Sequence, residues 1–364
     1  MPVRFGLIGC GKIAERLALP QLRACEEARV TALVDINRVA AEQLAGQFGL
    51  DQGLIWTDWK RMLREAEVDA IGVCLPNWLH AEVSVACLEA GKHVMVEKPM
   101  ALSLEEADAM IATAKRVGRK LMVEQTLRFD PMHEVARDVL CNGMIGSVRT
   151  MRGCLGNAGP EYWSQNSPWF TSKPKSGGGV LMDLGVHILD LMRWLSGQEV
   201  RRVCVVGKTL EKSIPIEDNT ISLLEFENGA IGSVQASWTM RPYEVSTTFY
   251  GDRGTLKTLH GDPHPVTVQF CRLSDDPNGR FGPDYYPYVP QASRVGGSYA
   301  SFVQSIAEGV ESPVSGEEGR RTLEVVLAAY RSMETGGWVD LPLSAGRASG
   351  SRPRTRTRPS GKRS

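Results

Sequence analysis

Three absences narrow what this sequence of 364 residues encodes. It has no net charge, because 42 basic residues balance 42 acidic ones, so nothing draws the whole chain to nucleic acid or to an anionic membrane. No apolar run approaches the roughly 20 residues that cross a bilayer. No signal-peptide pattern precedes the strand pattern that begins at Val3. We therefore expect a cytoplasmic protein that binds small molecules and has no nucleic-acid or membrane partner.

The cysteines also lack a functional pattern. There are eight of them, and they are scattered, with no C-x-x-C pair and no Cys/His spacing that surrounds a metal ion. We expect most of them to be buried free thiols, and we expect no metal site. Charge is uneven only near the end, where residues 341–364 carry seven basic residues and no acidic one. We expect residues 346–364 to form a disordered, solvated basic tail, rather than an element that binds RNA or lipid headgroups.

The length and the 42% hydrophobic content predict two domains. In residues 1–125, short β-branched runs such as Val3–Ile8 and His93–Glu97 alternate with helix-period segments such as Leu104–Val117. This alternation predicts an α/β domain, a doubly wound parallel sheet with helices on both faces. The other predicted strands of this domain are residues 30–35, 70–75 and 120–124.

Residues 126–345 have a different pattern, with longer strands and fewer helices. It predicts an α+β domain on a large, mostly antiparallel sheet, with a hairpin turn at Asn228-Gly229. The predicted strands are residues 147–153, 200–208, 220–226, 230–239, 246–250, 254–259 and 266–273, and the predicted helices are 131–141, 180–195, 299–309 and 319–333. Residues 274–297, rich in Pro, Gly and Asp, form either a loop over the site or a surface excursion.

The first chemical motif is G-x-G-x-x-A at residues 9–14, between a strand and a helix. Gly9 permits a tight turn, Gly11 lets the backbone approach a pyrophosphate, and the small Ala14 lets helix and strand pack closely. The helix N-terminus then holds the phosphates with its free N–H groups. This is the pattern of a dinucleotide-binding Rossmann domain, and we expect Gly9, Gly11, Lys12 and Ile13 to contact the cofactor.

The second strand of this unit ends at Asp35, where a carboxylate accepts hydrogen bonds from both hydroxyls of a ribose. Asp35 favours NAD, since it would repel the 2′-phosphate of NADP. Arg38 complicates this expectation, because a nearby guanidinium can hold that phosphate. NADP therefore stays open as an alternative, although a solvated surface role for Arg38 is the more common one.

With these motifs the chain resembles the Gfo/Idh/MocA family, the glucose-fructose oxidoreductase and inositol dehydrogenase group, from Val3 to about residue 343. The resemblance is carried by residues 6–14, Pro76-Asn77-x-x-His80, residues 91–99, the glycines 177–179, and Asp183-x-x-x-His187. It implies a nicotinamide-dependent oxidoreductase acting on a sugar or polyol. It also implies a homodimer or homotetramer, because the family usually pairs its C-terminal sheets face to face.

Lys98 lies in Glu97-Lys98-Pro99, at the C-terminal end of a buried strand, where doubly wound sheets bind their ligands. Desolvation there makes proton transfer from a lysine easier. The residues alone favour an ordinary lysine paired with Glu97, whereas the family resemblance implies a catalytic Lys98. Pro99 ends the strand, and a cis or kinked peptide there would aim the lysine.

The second constellation lies on the helix predicted at 180–195, which is apolar nearly all round and therefore buried. Asp183 and His187, four residues apart, share one face. They form either a buried structural Asp–His hydrogen bond or part of a substrate cleft, and the resemblance favours the cleft. We expect His187 to be the base, Lys98 to donate to the same oxygen, and Asp183 to orient a substrate hydroxyl or the His187 ring. The resembled family sometimes places the base on the lysine instead.

The resemblance also suggests further contacts. It implies cofactor contacts at Pro76, Asn77, His80, Glu97, Lys98 and Gln125, although His80 is equally explained as a helix-capping or core residue. It implies substrate contacts at Lys98, Arg128, Asp183 and His187. Flat rings bind the apolar face of a pyranose, and the aromatic group upstream of the glycines is Tyr162, Trp163, Trp169 and Phe170. We expect Trp169 to be the substrate platform, with packing as the alternative.

Three functions agree with these residues. The leading one is a dehydrogenase that oxidises a secondary hydroxyl of a sugar, glycoside or cyclitol such as inositol. The second is a redox-neutral enzyme that keeps NAD bound and oxidises a hydroxyl to enable elimination, isomerisation or loss of an aglycone. The third is a nicotinamide-binding sensor without turnover, which the presence of Lys98, Asp183 and His187 disfavours.

Overall fold

The structure is a computed structural model that describes residues 1–162, 167–270 and 284–344. Within these ranges the chain forms two sheets, each with its own helices. The expected basic tail, Trp163 and part of the segment predicted at 274–297 lie outside the described residues.

The first sheet has six strands in the order β3-β2-β1-β4-β5-β6. The strands are β1 (Val3–Ile8), β2 (Ala28–Val34), β3 (Ile55–Trp56), β4 (Ala70–Val73), β5 (His93–Glu97) and β6 (Leu121–Glu124). Every neighbouring pair is parallel, which confirms the predicted doubly wound sheet. Because all strands run the same way, their carboxyl ends share one edge, and the loops that follow them meet there.

The helices of this domain connect successive parallel strands. They are α1 (Leu19–Ala24), α2 (Arg38–Gln47), α3 (Trp59–Glu65), α4 (His80–Glu89) and α5 (Leu104–Val117). A π-helical turn, Ala14–Ala18, precedes α1 and places the buried Ala14 directly after the glycine motif. Ser103 caps α5 by accepting the Glu106 N–H, and Gly118 ends it in the left-handed conformation.

The second sheet has nine strands in the described residues, in the order β14-β13-β12-β11-β7-β10-β9-β8-β15. They are β7 (Val148–Gly156), β8 (Val200–Lys208), β9 (Asn219–Phe226), β10 (Ile231–Ser237), β11 (Glu244–Gly251), β12 (Gly254–Leu259), β13 (Val266–Phe270), β14 (Asp284–Tyr285) and β15 (Val339–Asp340). Only β7 and β10 pair in parallel, so the sheet is mostly antiparallel, as predicted. The predicted turn at Asn228-Gly229 joins β9 to β10, with Gly229 at φ 84°.

Helices cover one face of this sheet. They are α6 (Pro131–Cys141), α8 (Val186–Ser196) and α10 (Gly316–Thr335), with the short α7 (Lys173–Ser176) and α9 (Ser298–Glu308) elsewhere. Gly153 lets α8 approach β7, since a Cβ there would lie 2.8 Å from Ile188. In α10, the Ser332 hydroxyl accepts the Val205 N–H of β8 at 2.9 Å. The opposite face of the sheet carries exposed side chains.

The chain returns to the first domain after residue 297. Tyr299 and Phe302 of α9 pack edge-on against Phe5 of β1, with ring centroids 6.0 and 6.2 Å apart. Gly319 of α10 lies against Val123 of β6. The C-terminal helices α9 and α10 therefore contribute apolar side chains to the core of the first domain, although they lie beyond the predicted boundary at residues 125 and 126.

Two features are absent from the described residues: a helix that spans a membrane and a cluster of metal-binding side chains. No helix in them is both long and apolar enough to cross a membrane. No group of three or more His, Cys, Asp or Glu side chains in them is arranged to hold a metal ion.

Candidate active site

The glycine motif forms a phosphate cradle at the carboxyl edge of the first sheet. Gly9 adopts φ 101°, and a Cβ there would lie 2.2 Å from the Cys74 carbonyl oxygen, so only glycine fits. Gly11 has nothing within 4 Å of the position of its missing Cβ. Lys12 is exposed and pairs with Glu15 at 2.6 Å, and Ile13 is 44% exposed. The open space at Gly11 and the free N–H groups of a helix N-terminus fit a pyrophosphate.

Asp35 is placed to bind a ribose beside this cradle. Its carboxylate accepts the Cys10 N–H at 2.9 Å and the Asn37 N–H at 2.8 Å, which fixes its orientation. Lone pairs remain on both oxygens for hydroxyl donors. Arg38 is held by Glu42 at 2.7 Å on the exposed surface of α2. This arrangement suits the diol of NAD better than a 2′-phosphate.

The loop after β4 contacts the second domain. Pro76 precedes the short turn Asn77–Leu79, and the Asn77 amide donates to the Ser176 carbonyl at 2.8 Å. His80 is fully buried, and its ring nitrogens lie 2.8 and 2.7 Å from the carbonyl oxygens of Pro99 and Leu75. Burial lowers the pKa of His80. The buried ring lies between two loops and positions them, and a cofactor contact at His80 stays a prediction.

Lys98 reaches across from the first domain to the second. Its Nζ donates to Asp183 Oδ1 at 2.8 Å and to the Asp183 carbonyl oxygen at 3.0 Å. The side chains of Lys98 and Asp183 are only 14% and 10% exposed. The partner of Lys98 is therefore Asp183, and the pairing with Glu97 that the residues alone favoured is wrong. The Lys98–Pro99 peptide is cis.

The carboxylate of Asp183 has partners from two other elements. Lys98 bonds to Oδ1, and the indole Nε1 of Trp238 donates to Oδ2 at 3.1 Å. No hydrogen bond joins Asp183 to His187 among the described contacts, so the alternative of a buried Asp–His bond is wrong. Residues Leu181–Gly185 form a π-helical turn directly before α8, and both carboxylate oxygens of Asp183 are already bound, by Lys98 and by Trp238.

His187 is half-buried in the first turn of α8. Its Nδ1 atom is buried and has no hydrogen-bond partner, which leaves the other ring nitrogen as the one available to a substrate. Burial, and then the positive charge of Lys98, hold the pKa of His187 well below its ordinary value. The ring is therefore neutral at physiological pH, the form that accepts a proton.

A pair of buried carboxyl groups lies beneath this site. Glu97 and Glu124 are register partners at the ends of β5 and β6, and both are almost fully buried. Burial raises the pKa of Glu97 despite the nearby Lys98, and burial together with the charge of Glu97 raises that of Glu124. Gln125 follows, is 2% exposed, and accepts the Arg128 N–H through its carbonyl oxygen at 3.0 Å.

Arg128 is enclosed among acidic partners. It is 5% exposed, its guanidinium binds both oxygens of Asp190 at 2.7 Å, and it donates to Glu318 at 3.1 Å. These contacts support a structural role, and the expected substrate contact stays a prediction. Asp190 lies on α8 and Glu318 on α10, so Arg128 joins three elements of the second domain.

Trp169 lies at the domain junction. Its ring packs edge-on against Trp78, with centroids 5.7 Å apart, and lies 4.3 Å from the Phe170 ring. Lys175 sits over the other side of the pair, 5.1 Å from the Trp78 centroid. This supports the packing role; a substrate contact at Trp169 stays a prediction. Tyr162 is 68% exposed.

Sequence reasoning missed the residues that hold the Asp183 turn. Glu217 Oε1 accepts the N–H groups of Gly179 at 2.9 Å and Leu181 at 3.2 Å, and the Tyr330 hydroxyl at 2.7 Å. Trp238 was missed as well. Both are distant in sequence from the motifs, and no spacing rule connects them to Asp183.

Two family models match the chain. The one described as "Oxidoreductase family, NAD-binding Rossmann fold" matches residues 3–125, and the one described as "GFO/IDH/MocA C-terminal domain" matches residues 133–257. Together they cover most of the chain, and the first model matches the residues of the cradle and of Lys98.

Several proteins of known activity are similar over nearly their whole length. The D-glucoside 3-dehydrogenase of Escherichia coli is 28% identical, covering 93% of this chain and 98% of that protein. The myo-inositol 2-dehydrogenase of Thermotoga maritima is 26% identical, covering 91% and 96%. A levoglucosan dehydrogenase solved with NADH and levoglucosan superposes with a TM-score of 0.81 at 26% identity, covering 94% and 100%.

Proposed function

The chain belongs to the Gfo/Idh/MocA family of NAD-binding oxidoreductases, and from this premise we propose that it transfers a hydride between NAD and a secondary hydroxyl of a sugar, glycoside or cyclitol. The observation that carries the proposal is the pairing of Lys98 with Asp183 beside a neutral His187. These groups supply a hydrogen-bond donor and a proton acceptor for one hydroxyl, next to the cofactor cradle.

Lys98 has one donor left for the substrate. An ammonium group carries three N–H donors, and two of them bind Asp183. The third is free to bind the substrate oxygen and to stabilise the negative charge that develops on it during oxidation. Asp183 keeps Lys98 oriented for this task.

His187 is the proposed base. Its neutral ring offers the nitrogen other than Nδ1 to the substrate hydroxyl, takes the proton, and releases it readily because burial, and then the Lys98 charge, oppose a charged ring. NAD, when bound, supplies the hydride acceptor. Water exclusion follows from the domain junction, where Asn77 and Trp78 meet residues 167–176.

The cofactor contacts are proposed for Gly9, Gly11, Lys12, Ile13 and Asp35. We also propose cofactor contacts at Pro76, Asn77, Glu97 and Gln125, which lie at the same sheet edge. We retain Trp169 as a wall of the substrate cleft. NAD is the proposed natural cofactor, since Arg38 is already bound by Glu42.

The direct test is NADH formation against a panel of inositols, free sugars and glycosides, with NAD and NADP compared. The proposal predicts absorbance of reduced cofactor with one class of these compounds. A protein that carries bound NAD but reduces none with any compound would contradict net dehydrogenation. Product analysis of the glycosides would then separate a redox-neutral enzyme from a sensor.

A homodimer or homotetramer is also proposed, with a second copy on the open face of the second sheet. Val206 and Ile221 are register partners on β8 and β9, and with Leu223 and Ile231 they are at least half exposed on that face. A contiguous apolar surface of this kind marks a protein interface. Light scattering after gel filtration gives the mass; a monomer at micromolar concentration would contradict the proposal.

A cytoplasmic location is proposed from the cysteines. The seven in the described residues are free thiols, which fits a reducing compartment. Cell fractionation with a compartment marker tests it, and recovery in an oxidising compartment would contradict it.

A further inference from the structure

Trp238 contacts the proposed catalytic pair without reaching the cleft. It follows β10 directly, and it is fully buried. Its indole Nε1 donates to Asp183 Oδ2 at 3.1 Å, while Lys98 holds Oδ1 at 2.8 Å. The two oxygens of one carboxylate are thus bound by groups from two domains, and the indole comes from the sheet.

The backbone of Trp238 is itself anchored. Its N–H donates to the Asp218 carbonyl at 2.8 Å, which extends the β9–β10 pairing past Ser237. The Asp218 carboxylate accepts the N–H groups of three successive residues, 210–212, at 2.7 to 2.9 Å. The indole therefore projects from a rigid sheet end, which makes it a fixed reference for the Asp183 turn.

We propose that Trp238 is a positioning residue: its indole N–H locks the Asp183 carboxylate so that Lys98 keeps one N–H directed at the substrate oxygen. The inference rests on the proposed hydride transfer for its kinetic consequence, whereas the contact itself is independent of any substrate. Trp238 is no catalytic residue, because it touches neither substrate nor cofactor in this role.

Loss of the indole donor would let the Asp183 carboxylate rotate. Asp183 is 9% exposed, so water does not replace a lost donor at Oδ2. Without the indole N–H, the carboxylate gains by turning Oδ2 toward Lys98 and accepting from it with both oxygens. Lys98 would then follow the carboxylate, and its third N–H would leave the substrate. A displacement of about 1 Å at the reacting oxygen costs roughly a hundredfold in rate.

The kinetic test uses Trp238→Phe, which keeps an aromatic ring and removes the donor. We expect kcat to fall roughly 10- to 100-fold, the range of one hydrogen bond to a charged group, with KM for NAD within about twofold of wild type. Phe249→Leu is the matched control, because Phe249 is also fully buried in the same sheet and lies on β11. It should lower the melting temperature while kcat stays within about twofold of wild type.

A double-mutant cycle separates positioning from packing. If Trp238 acts through the Asp183 carboxylate, Trp238→Phe should cost less than about threefold in kcat when Asp183 is already Asn. Equal losses in both backgrounds would overturn the proposal, since the tryptophan would then act by general packing.

A second readout needs no activity. The chain has eight tryptophans, and the indole N–H resonance that is lost in Trp238→Phe belongs to Trp238. We expect this resonance far downfield, as for a donor to a carboxylate, and an upfield shift in Asp183→Asn. An unmoved resonance would overturn the inference even in an active dehydrogenase. A shifted resonance in a protein that oxidises no polyol would uphold the contact and contradict only the proposed function.

Discussion

Lys98 and Asp183 come from different domains and meet at 2.8 Å, with both side chains almost fully buried. A buried ion pair is costly to desolvate, and it is kept where its position serves chemistry. The pair therefore also reports on domain placement, because any rotation of one domain against the other would separate the charges.

Removing Lys98 should abolish turnover and spare the cofactor. Lys98→Ala loses the donor to the substrate oxygen, and we expect kcat to fall by roughly a hundredfold or more. NAD affinity, measured by fluorescence titration, should stay within about threefold, since the cradle is formed by other residues. Lys115→Ala is the control, because that side chain is 69% exposed and pairs with Glu317 on the surface. Near-normal turnover in Lys98→Ala would refute its catalytic role.

The pH dependence of the reaction rate should reflect the lowered pKa of His187. The pKa of His187 lies well below 6.5, so the ring stays neutral as the pH falls through the usual histidine range. The rate of oxidation should fall only when the pH approaches that lowered pKa and protonation removes the base. Profiles of kcat/KM against pH test this, and His187→Ala should remove that acid limb together with most of the rate. A limb centred at or above 6.5 would contradict the assignment.

Substitution of the two motif glycines should have different effects, on stability at Gly9 and on NAD affinity at Gly11. Gly9→Ala puts a Cβ 2.2 Å from the Cys74 carbonyl oxygen at φ 101°, so it should destabilise the fold by roughly 1–3 kcal/mol. Gly11→Ala meets nothing within 4 Å, so its melting temperature should stay near wild type while NAD affinity falls. Thermal melts and NAD titration on both variants check this. Normal NAD binding in Gly11→Ala would contradict the cradle.

Cofactor choice should depend on Asp35 and on Glu42. Asp35→Ala removes the ribose acceptor, so NAD affinity should fall roughly tenfold while NADP affinity rises. Adding Glu42→Ala should raise NADP affinity again, because it frees Arg38 for the 2′-phosphate. Asp51→Ala, an exposed cap of a 3₁₀ turn, is the control. The ratio of the two dissociation constants decides; an unchanged ratio in the double variant would contradict the role of Glu42.

Arg128 should matter for stability instead of substrate binding. Arg128→Ala removes the bidentate partner of the buried Asp190, which keeps the Thr322 hydroxyl at 2.8 Å and Arg193 at 4.0 Å, and we expect a loss of roughly 2–3 kcal/mol in the free energy of unfolding. Arg149→Ala, with a side chain 70% exposed, should change it by less than about 0.5 kcal/mol. Urea denaturation measures both. If Arg128→Ala instead raised KM for the substrate without changing stability, the substrate contact expected from the sequence would be supported and the structural role contradicted.

The fold was largely predictable because its signals are local. Buried parallel strands such as β5 are short β-branched runs, and the glycine motif between β1 and α1 follows from turn and packing geometry. The two-residue strand β3 was missed, since two residues carry no periodicity. The parallel pairing of β7 with β10 could not be predicted either, because the residue pattern of two strands 75 or more residues apart does not show that they pair.

The site was only partly predictable. The spacing of Asp183 and His187 predicted one shared helical face, but it carried no sign that Lys98 and Trp238 would bind the Asp183 carboxylate. The family resemblance predicted that Arg128, which follows the last strand of the first sheet, contacts the substrate. In the structure, Asp190 of α8 and Glu318 of α10 enclose its guanidinium. Such outcomes depend on which elements come together, and helix periodicity has no information on that.

By itself, then, the sequence determined the two-sheet architecture, the dinucleotide cradle at Gly9 and Gly11, and the presence of Lys98, Asp183 and His187, because each depends on local periodicity or on a motif with a backbone requirement. The tertiary structure alone decided the partners of those side chains. It joined Lys98 to Asp183 across the domains, and it set the Trp238 indole against the same carboxylate. The physical reason is that hydrogen bonds between distant segments depend on how buried surfaces pack, and packing is a property of the whole chain.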